Sequence, residues 1–405
     1  MSLASYRAPD TALLEPRKAP RLVGVVWALL VINTLGSQGA NTIIAIPRPV
    51  AQMVTMGAVV AAFVLALLVN PRLQLRPSAY LLLLSLLLVV SIVSSTRLES
   101  GLGALFRCFR FTMFVGTLWL LTRWWDDWLG LLRTHIKAIC AVLATVAAGL
   151  AISPGTARPD TYGGRLVGAI WPLTPPQIGQ YAATVIGLVI LLWLGHHTSR
   201  TSVFVIAVPA LVLLLMSQTR TALLGLVGGL AVALISMMTT SARARKVFAR
   251  TALVGGLAAV VAGAAIQTWF RRGQEDLTEL TGRAKVWDAL LAAPRTIGEE
   301  VFGIGLTNKS FDGLPIDSSW LAVYHEQGYL GLALVVGFLL TLVGVAVLRP
   351  PSLTRAIALF LVFYCVIASY TEAGLGDASP YLLNLTIAAA LLSVVAPAED
   401  RRVST

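Results

Sequence analysis

Arginines at the starts of apolar runs, with one carboxylate near them, are the residues of this chain best suited to chemistry. Ser217, Gln218, Thr219, Arg220 and Thr221 interrupt one apolar stretch and open the next. A helix start presents unpaired backbone N–H groups and a partial positive charge. Arg220 placed there makes a phosphate site, with Ser217 or Thr219 available as a cap. The alternative is an arginine whose stem follows the apolar surface out to water. Arg283 follows Gly282 and precedes Trp287. A second guanidinium beside Arg220 suits a diphosphate, which needs several donors around it. A surface ion pair with Glu279, four residues earlier, is the simpler alternative. Asp317 comes after Gly303, Ile304 and Gly305, whose glycines permit a tight return of the chain, and just before Ser318, Ser319 and Trp320. It either caps the helix that follows or, facing arginines, acts as a base toward a hydroxyl.

The setting of these residues is a membrane. Of 405 residues, 57% are hydrophobic and 12% charged, and the mean hydropathy is +0.80. A soluble protein carries roughly 25% charged residues. Twelve helices of about 20 apolar residues each would account for the hydrophobic share. A soluble globular enzyme, a disordered chain and a disulfide scaffold are excluded. The net charge of +12 has no basic stripe interleaved with aromatics, so nucleic acid is not an expected partner. Cys108, Cys140 and Cys365 fall inside apolar runs without metal or disulfide spacing. His135, His196 and His197 read as residues of cytoplasmic turns, and no HExxH, CxxC or phosphate-loop pattern appears. Neither a metal nor a cofactor is expected.

Hydropathy places spans at about 22–40, 50–69, 79–95, 101–121, 138–153, 177–195, 203–217, 220–238, 252–268, 320–346, 356–371 and 380–396. This predicts an all-α, polytopic membrane protein of about 12 helices. Residues 1–21 form an amino-terminal tail, 22–199 the first six helices, 200–396 a second unit, and 397–405 a closing tail. With the amino terminus in the cytoplasm, inner segments hold 18 of the 31 bases and outer segments 11. Six of those 11 belong to one long loop, which is a poor indicator of orientation. The short segments therefore put both termini in the cytoplasm. The long outer loop, residues 269–319, lies between helices 9 and 10 and holds eight of the 19 acids. Leu277, Leu280, Ala284, Trp287 and Leu291 recur at helical spacing within it, as one helix or as two meeting at Gly282. On the cytoplasmic side, the stretch from Trp124 to Lys137 reads as an interfacial anchor.

Taken together, these pieces resemble the O-antigen ligases and related polymerases of lipid-linked bacterial glycans. The likeness runs from Ser217–Ala222 through Gly282, Arg283 and Trp287 to Gly303-Ile304-Gly305. It ends in Asp317–Leu321 followed by Glu326, Gln327, Gly328 and Gly331. It covers roughly residues 200–345, and Gly164-Arg165-Leu166-Val167-Gly168 looks like the family's outer loop before span six. Ligases of the family typically carry a histidine where this chain has Asp317, with His325 and Glu326 nearby. The resemblance implies a GT-C-type glycosyltransferase at the outer face of the plasma (inner) membrane. It implies a polyprenyl-pyrophosphate-linked glycan as donor, a glycan or glycolipid hydroxyl as acceptor, and membrane lipid around both. In that role Arg220 and Arg283, with Arg165, Arg107 and Arg110, hold the donor pyrophosphate, and Asp317 orients or deprotonates the acceptor. A repeat-unit polymerase is the alternative within the family. A secondary transporter or lipid flippase is the alternative outside it, with Arg107 and Arg110, which share one helix face, lining the path.

The charge bias makes a direct prediction about topology. Single cysteines at Thr278 and Ser241, in a background without the three native ones, are treated with a membrane-impermeant thiol reagent in intact cells. The first should label and the second should not; the reverse pattern inverts the orientation.

Overall fold

In a medium without water, backbone N–H and C=O groups must bond within their own segment, so long runs of Leu, Val and Ala become helices. A computed structural model describes residues 19–36, 42–96, 101–239, 241–250 and 283–393. The helices are α1 (Arg21–Asn33), α2 (Arg48–Val69), α3 (Ala79–Ser95), α4 (Leu102–Leu121), α5 (Trp128–Ile152), α6 (Pro175–Leu194), α7 (Arg200–Ser217) and α8 (Arg220–Met237). They continue with α9 (Arg283–Ala292), α10 (Ile297–Phe302), α11 (Ser319–Leu348), α12 (Leu353–Ala368) and α13 (Pro380–Ser393). Helices occupy eleven of the twelve predicted runs; the ninth, 252–268, lies outside the described residues. Among the described residues, seven helices are long and apolar enough to cross a membrane, and α1, α3, α12 and α13 are shorter apolar helices.

Side-chain caps start several of them. Ser78, Asp127, Ser199, Thr296 and Ser352 each accept a hydrogen bond from a first-turn N–H. α5 begins ten residues before the predicted span and takes in much of the expected interfacial anchor. His135 is therefore not in a turn. It is buried, its Nδ1 accepting from the Trp27 indole at 3.0 Å and its Nε2 lying 2.9 Å from Asn384 Oδ1. His196 and His197 do lie in a turn, after α6.

Small residues set how closely the central helices approach. A Cβ on Gly225 would come within 2.9 Å of the Tyr364 ring, and one on Gly229 within 2.9 Å of the Phe360 carbonyl. Four residues apart, they form a small-residue face on α8 against which α12 lies. Gly187 of α6 receives the Phe360 ring from the other side.

α11 is two helices joined at a break. Gly328 has φ 65° and ψ −165°, so the carbonyls before it lose their partners in the following turn. The segment before α11 supplies replacements. Ile304 N donates to His325 O at 3.1 Å, and Gly305 N to Glu326 O at 3.0 Å. This contact is backbone against backbone. A Cβ on Gly303 (φ 76°) would lie 2.3 Å from Gln327 N, and one on Gly328 2.4 Å from Val301 C. The loop also contains a two-residue hairpin, pairing Ser310 with Pro315 and Phe311 with Leu314. Asp312 and Gly313 both have positive φ at its turn, as a tight hairpin requires. The all-α expectation thus has one small exception.

Gly328→Ala and Gly303→Ala should each cost at least the roughly 1–3 kcal/mol of a positive-φ side chain, with backbone overlap added. Thermal unfolding in detergent should show lower midpoints for both. Gly344→Ala, also in α11 but with open space around it, should leave the midpoint unchanged or slightly raised.

Candidate functional site

One end of the bundle collects the carboxyl ends of α1, α3, α7 and α12 and the amino ends of α4, α6, α8, α11 and α13. There α7 stops at Ser217, Gln218 takes a left-handed conformation (φ 51°), and α8 begins with Arg220. Neither expected cap is used. Ser217 Oγ donates to Leu214 O, and Thr219 Oγ1 donates to Pro175 O at 3.0 Å, leaving the start of α8 without a side-chain cap. The segment before α6 folds over this junction through positive-φ turns at Gly163 and Gly164 and a Leu166 N to Met216 O bond of 3.0 Å. Arg165 then reaches in, its Nε donating to Ser217 O at 3.0 Å and its Nη2 to Thr219 Oγ1 at 3.4 Å. Burial lowers its pKa from the ordinary value; Glu372 counters this, and Arg283 and Arg220 add to it. Arg165, Arg220 and Arg283 thus lie within electrostatic reach of one another's cluster although 118 positions separate the first from the last.

Arg283 lies in α9, and its Nε is 3.1 Å from Asp317 Oδ2. Asp317 is not the cap of α11. Ser318 occupies that position, and it too makes no side-chain cap bond. Glu279, the other expected partner of Arg283, and Gly282, where two loop helices were expected to meet, lie outside the described residues. Trp287 packs edge-on against Tyr370, with ring centroids 5.8 Å apart, which fixes α9 against the end of α12.

The residue that sequence reasoning missed is Glu372, in the turn between α12 and α13. The turn that carries it is held at several points. Ser319 Oγ donates to Glu372 O at 2.6 Å and accepts from Gly374 N at 2.8 Å. Thr371 Oγ1 and Thr221 Oγ1 are 2.6 Å apart, and Gln327 Nε2 donates to Gly376 O at 2.6 Å. Burial pushes the Glu372 carboxyl up to about 8; Asp317 adds to the rise, while Arg283 and Arg165 oppose it. The only sequence signal was two acids in an eleven-residue connection (369–379) between apolar helices.

Glu372 also faces a polar cavity of about 300 Å³. Its lining includes Arg107, Arg110, Lys309, Asp377 and Gln180. Lys309 Nζ is 2.6 Å from Asp377 Oδ1, Arg107 donates to Leu306 O at 3.0 Å, and Arg110 donates to Asn33 O. Arg107 and Arg110 therefore share a cavity, as their spacing suggested, while Arg165, Arg220 and Arg283 are not part of its lining. Glu372 is the residue common to both neighbourhoods. His325 and Glu326 are occupied elsewhere. His325 Nδ1 lies 2.8 Å from Arg295 Nη2, and Glu326 accepts from Thr307 Oγ1 and from Lys309 N. Among the described residues, no three His, Cys, Asp or Glu side chains are grouped to hold a metal ion.

No protein-family model matches this chain, and no curated protein matches it. The site's own chemistry therefore carries the functional argument. Arg165 and Arg283 lie beside the carboxyls of Glu372 and Asp317, and burial favours the neutral form of Glu372.

The sign of the Glu372 shift sets a stability trend. Its folded value of about 8 lies above the ordinary 4.5, so between those values the folded state holds a proton that the unfolded state has released. Stability should be greatest below about pH 4.5 for this group and fall as pH rises through about 8. Glu372→Gln, which mimics the protonated form, should flatten the thermal midpoint over that range. An unchanged slope in the variant contradicts the assignment.

Proposed function

We propose that this protein is a membrane glycosyltransferase of the O-antigen ligase type. It transfers a glycan from a polyprenyl-pyrophosphate carrier to an acceptor hydroxyl at the outer face of the plasma membrane. The observation that carries the reading is that Arg165, bonded to Ser217 and Thr219 at the α7–α8 junction, lies within electrostatic reach of both Arg220 and Arg283. Guanidiniums drawn together from three separate segments make a positively charged surface suited to an anionic diphosphate. The apolar helices around it suit a lipid-tailed donor. In this reading the chain has twelve spans and a GT-C-type layout, and the short-loop charge bias places the site outside and both termini in the cytoplasm.

The transfer is a single displacement. The acceptor oxygen bonds to the anomeric carbon while the bond from that carbon to the pyrophosphate oxygen breaks, inverting the centre. The departing oxygen gathers negative charge, and Arg220 and Arg283 stabilise it in surroundings that screen poorly. Asp317 holds the Arg283 guanidinium in orientation through the 3.1 Å ion pair. Arg165 supplies charge from the far side while its fork is fixed by Ser217 and Thr219. A repeat-unit polymerase uses the same step, with another lipid-linked unit as acceptor.

Arg220→Ala and Arg283→Ala should each reduce transfer by about 100-fold or more at near-normal protein levels. Lysine at either position should rescue poorly, because a point charge lacks the planar fork that grips two phosphate oxygens. The assay follows lipid-linked and polymeric glycans in cells with and without each variant. Loss of attachment at unchanged chain length identifies a ligase, and loss of chain length a polymerase. Full activity in Arg220→Ala overturns the reading.

A further inference from the structure

A transfer to a hydroxyl needs somewhere for the hydroxyl proton to go, and the residues already given roles are poor acceptors. Asp317 is committed to Arg283 at 3.1 Å. Glu326 is 2% exposed and already receives the Thr307 hydroxyl and the Lys309 N–H. His325 is bonded to Arg295 and covered by the Phe311 ring at 5.6 Å. Glu372 differs from all three. Its main chain is pinned by Ser319, yet among the described residues no hydrogen bond or ion pair holds its carboxylate. That carboxylate lines the 300 Å³ cavity on one side and lies within electrostatic reach of Arg283, Asp317 and Arg165 on the other.

The cavity has the chemistry of a sugar site. Gln177, Gln180, Asn308 and Thr174 offer amides and a hydroxyl, Asp377 a carboxylate, and Arg107 and Arg110 guanidiniums. Such groups recognise neighbouring hydroxyls by paired donors and acceptors, and the volume falls at the lower end of the range for ligand sites. The main-chain bonds of Arg107 to Leu306 O and Arg110 to Asn33 O set their direction into it.

We propose that this cavity seats the acceptor saccharide and that Glu372 is the base that takes the proton from its attacking hydroxyl. The inference rests on the glycosyltransferase reading. It moves Arg107 and Arg110 from the donor pyrophosphate to the acceptor. The acceptor O–H bond breaks as its oxygen bonds to the anomeric carbon. The proton passes to a Glu372 carboxylate oxygen, and the pyrophosphate leaves with the electron pair of the broken C–O bond. The charged and titratable groups facing Glu372 are Arg283 of α9, Asp317 before α11, Arg165 before α6, and Tyr364 and Tyr381 of α12 and α13. Across the cavity they are Arg107, Arg110, Lys309 and Asp377. The base must be ionised to act, so the rate should climb with pH through the range in which Glu372 loses its proton.

The test uses purified full-length protein in vesicles, with lipid-linked glycan and acceptor fractions extracted from cells lacking the protein. Binding of polyprenyl pyrophosphate alone is followed separately by thermal shift. Glu372→Gln should lower kcat by about 100-fold or more while polyprenyl pyrophosphate binding stays within about threefold, the two effects being separable as turnover and ground-state binding. The parent should show a rate that rises from about pH 6 to about pH 9, and the residual activity of Glu372→Gln should lack that rise. Arg107→Ala should raise KM for the acceptor fraction and leave that for the donor unchanged. Turnover of Glu372→Gln at the parental rate, or a parental profile flat over that interval, overturns the base. A donor-specific KM effect in Arg107→Ala overturns the acceptor cavity. A parent that neither binds polyprenyl pyrophosphate nor transfers glycan removes the glycosyltransferase reading, and the inference falls with it. Binding and transfer by the parent with a fully active Glu372→Gln removes the inference alone.

Discussion

The arrangement of the site depends on two backbone carbonyls. The break at Gly328 takes away the helical partners of His325 O and Glu326 O, and a bare carbonyl in an apolar bundle costs several kcal/mol. Ile304 and Gly305, in the loop before α11, meet that need at 3.1 and 3.0 Å. The loop is therefore part of the helix's own hydrogen-bonding and not an appendage to it. Residues on either side of the joint inherit its precision. Lys309 follows within a few residues and meets Asp377, and α9 brings Arg283 onto Asp317. The glycines at 303 and 328 are required because the two backbones touch there without room for a Cβ.

A second constraint works on charge. Arg165 is fixed by bonds to main chain and hydroxyl, Arg283 by Asp317, and Glu372 by burial that favours its neutral form. Asp317 offsets one of the cluster's positive charges. These contacts hold guanidiniums in defined directions, and burial favours the neutral form of Glu372. Glu372 thus belongs to two electrostatic neighbourhoods at once, the arginine cluster and the polar cavity.

Much of this was legible from residue types. Apolar runs gave most helices within a few residues; the exceptions are α1, which ends seven residues before the predicted span does, and α5, whose first turns carry Trp128, Arg133 and His135 and so look interfacial. In the fold, His135 finds Trp27 and Asn384, partners 108 and 249 positions away that no local window contains. Arg220, Arg283 and Asp317 stood out because charge at an apolar boundary is rare. The pairing of Arg283 with Asp317 was not legible, nor was the cap passing to Ser318. Asp312 and Gly313 did carry a hairpin signal, which a helical reading of the loop overlooked. Glu372 was invisible for a physical reason. A carboxylate in a short connection normally meets water, and only the packing of Ser319 and Thr221 against its turn draws it inward.

Thr219 and Ser318 are the N-cap residues of α8 and α11, and both withhold the hydroxyl that Ser78, Ser199 and Ser352 give to their helices. A cap contributes about 1 kcal/mol to a helix, so the bundle is less stable at this end than its sequence allows. An anion bound at the first turn of α8 would complete that helix, and folding and occupancy would be thermodynamically linked. The tightest state of the molecule would then be one that includes a guest.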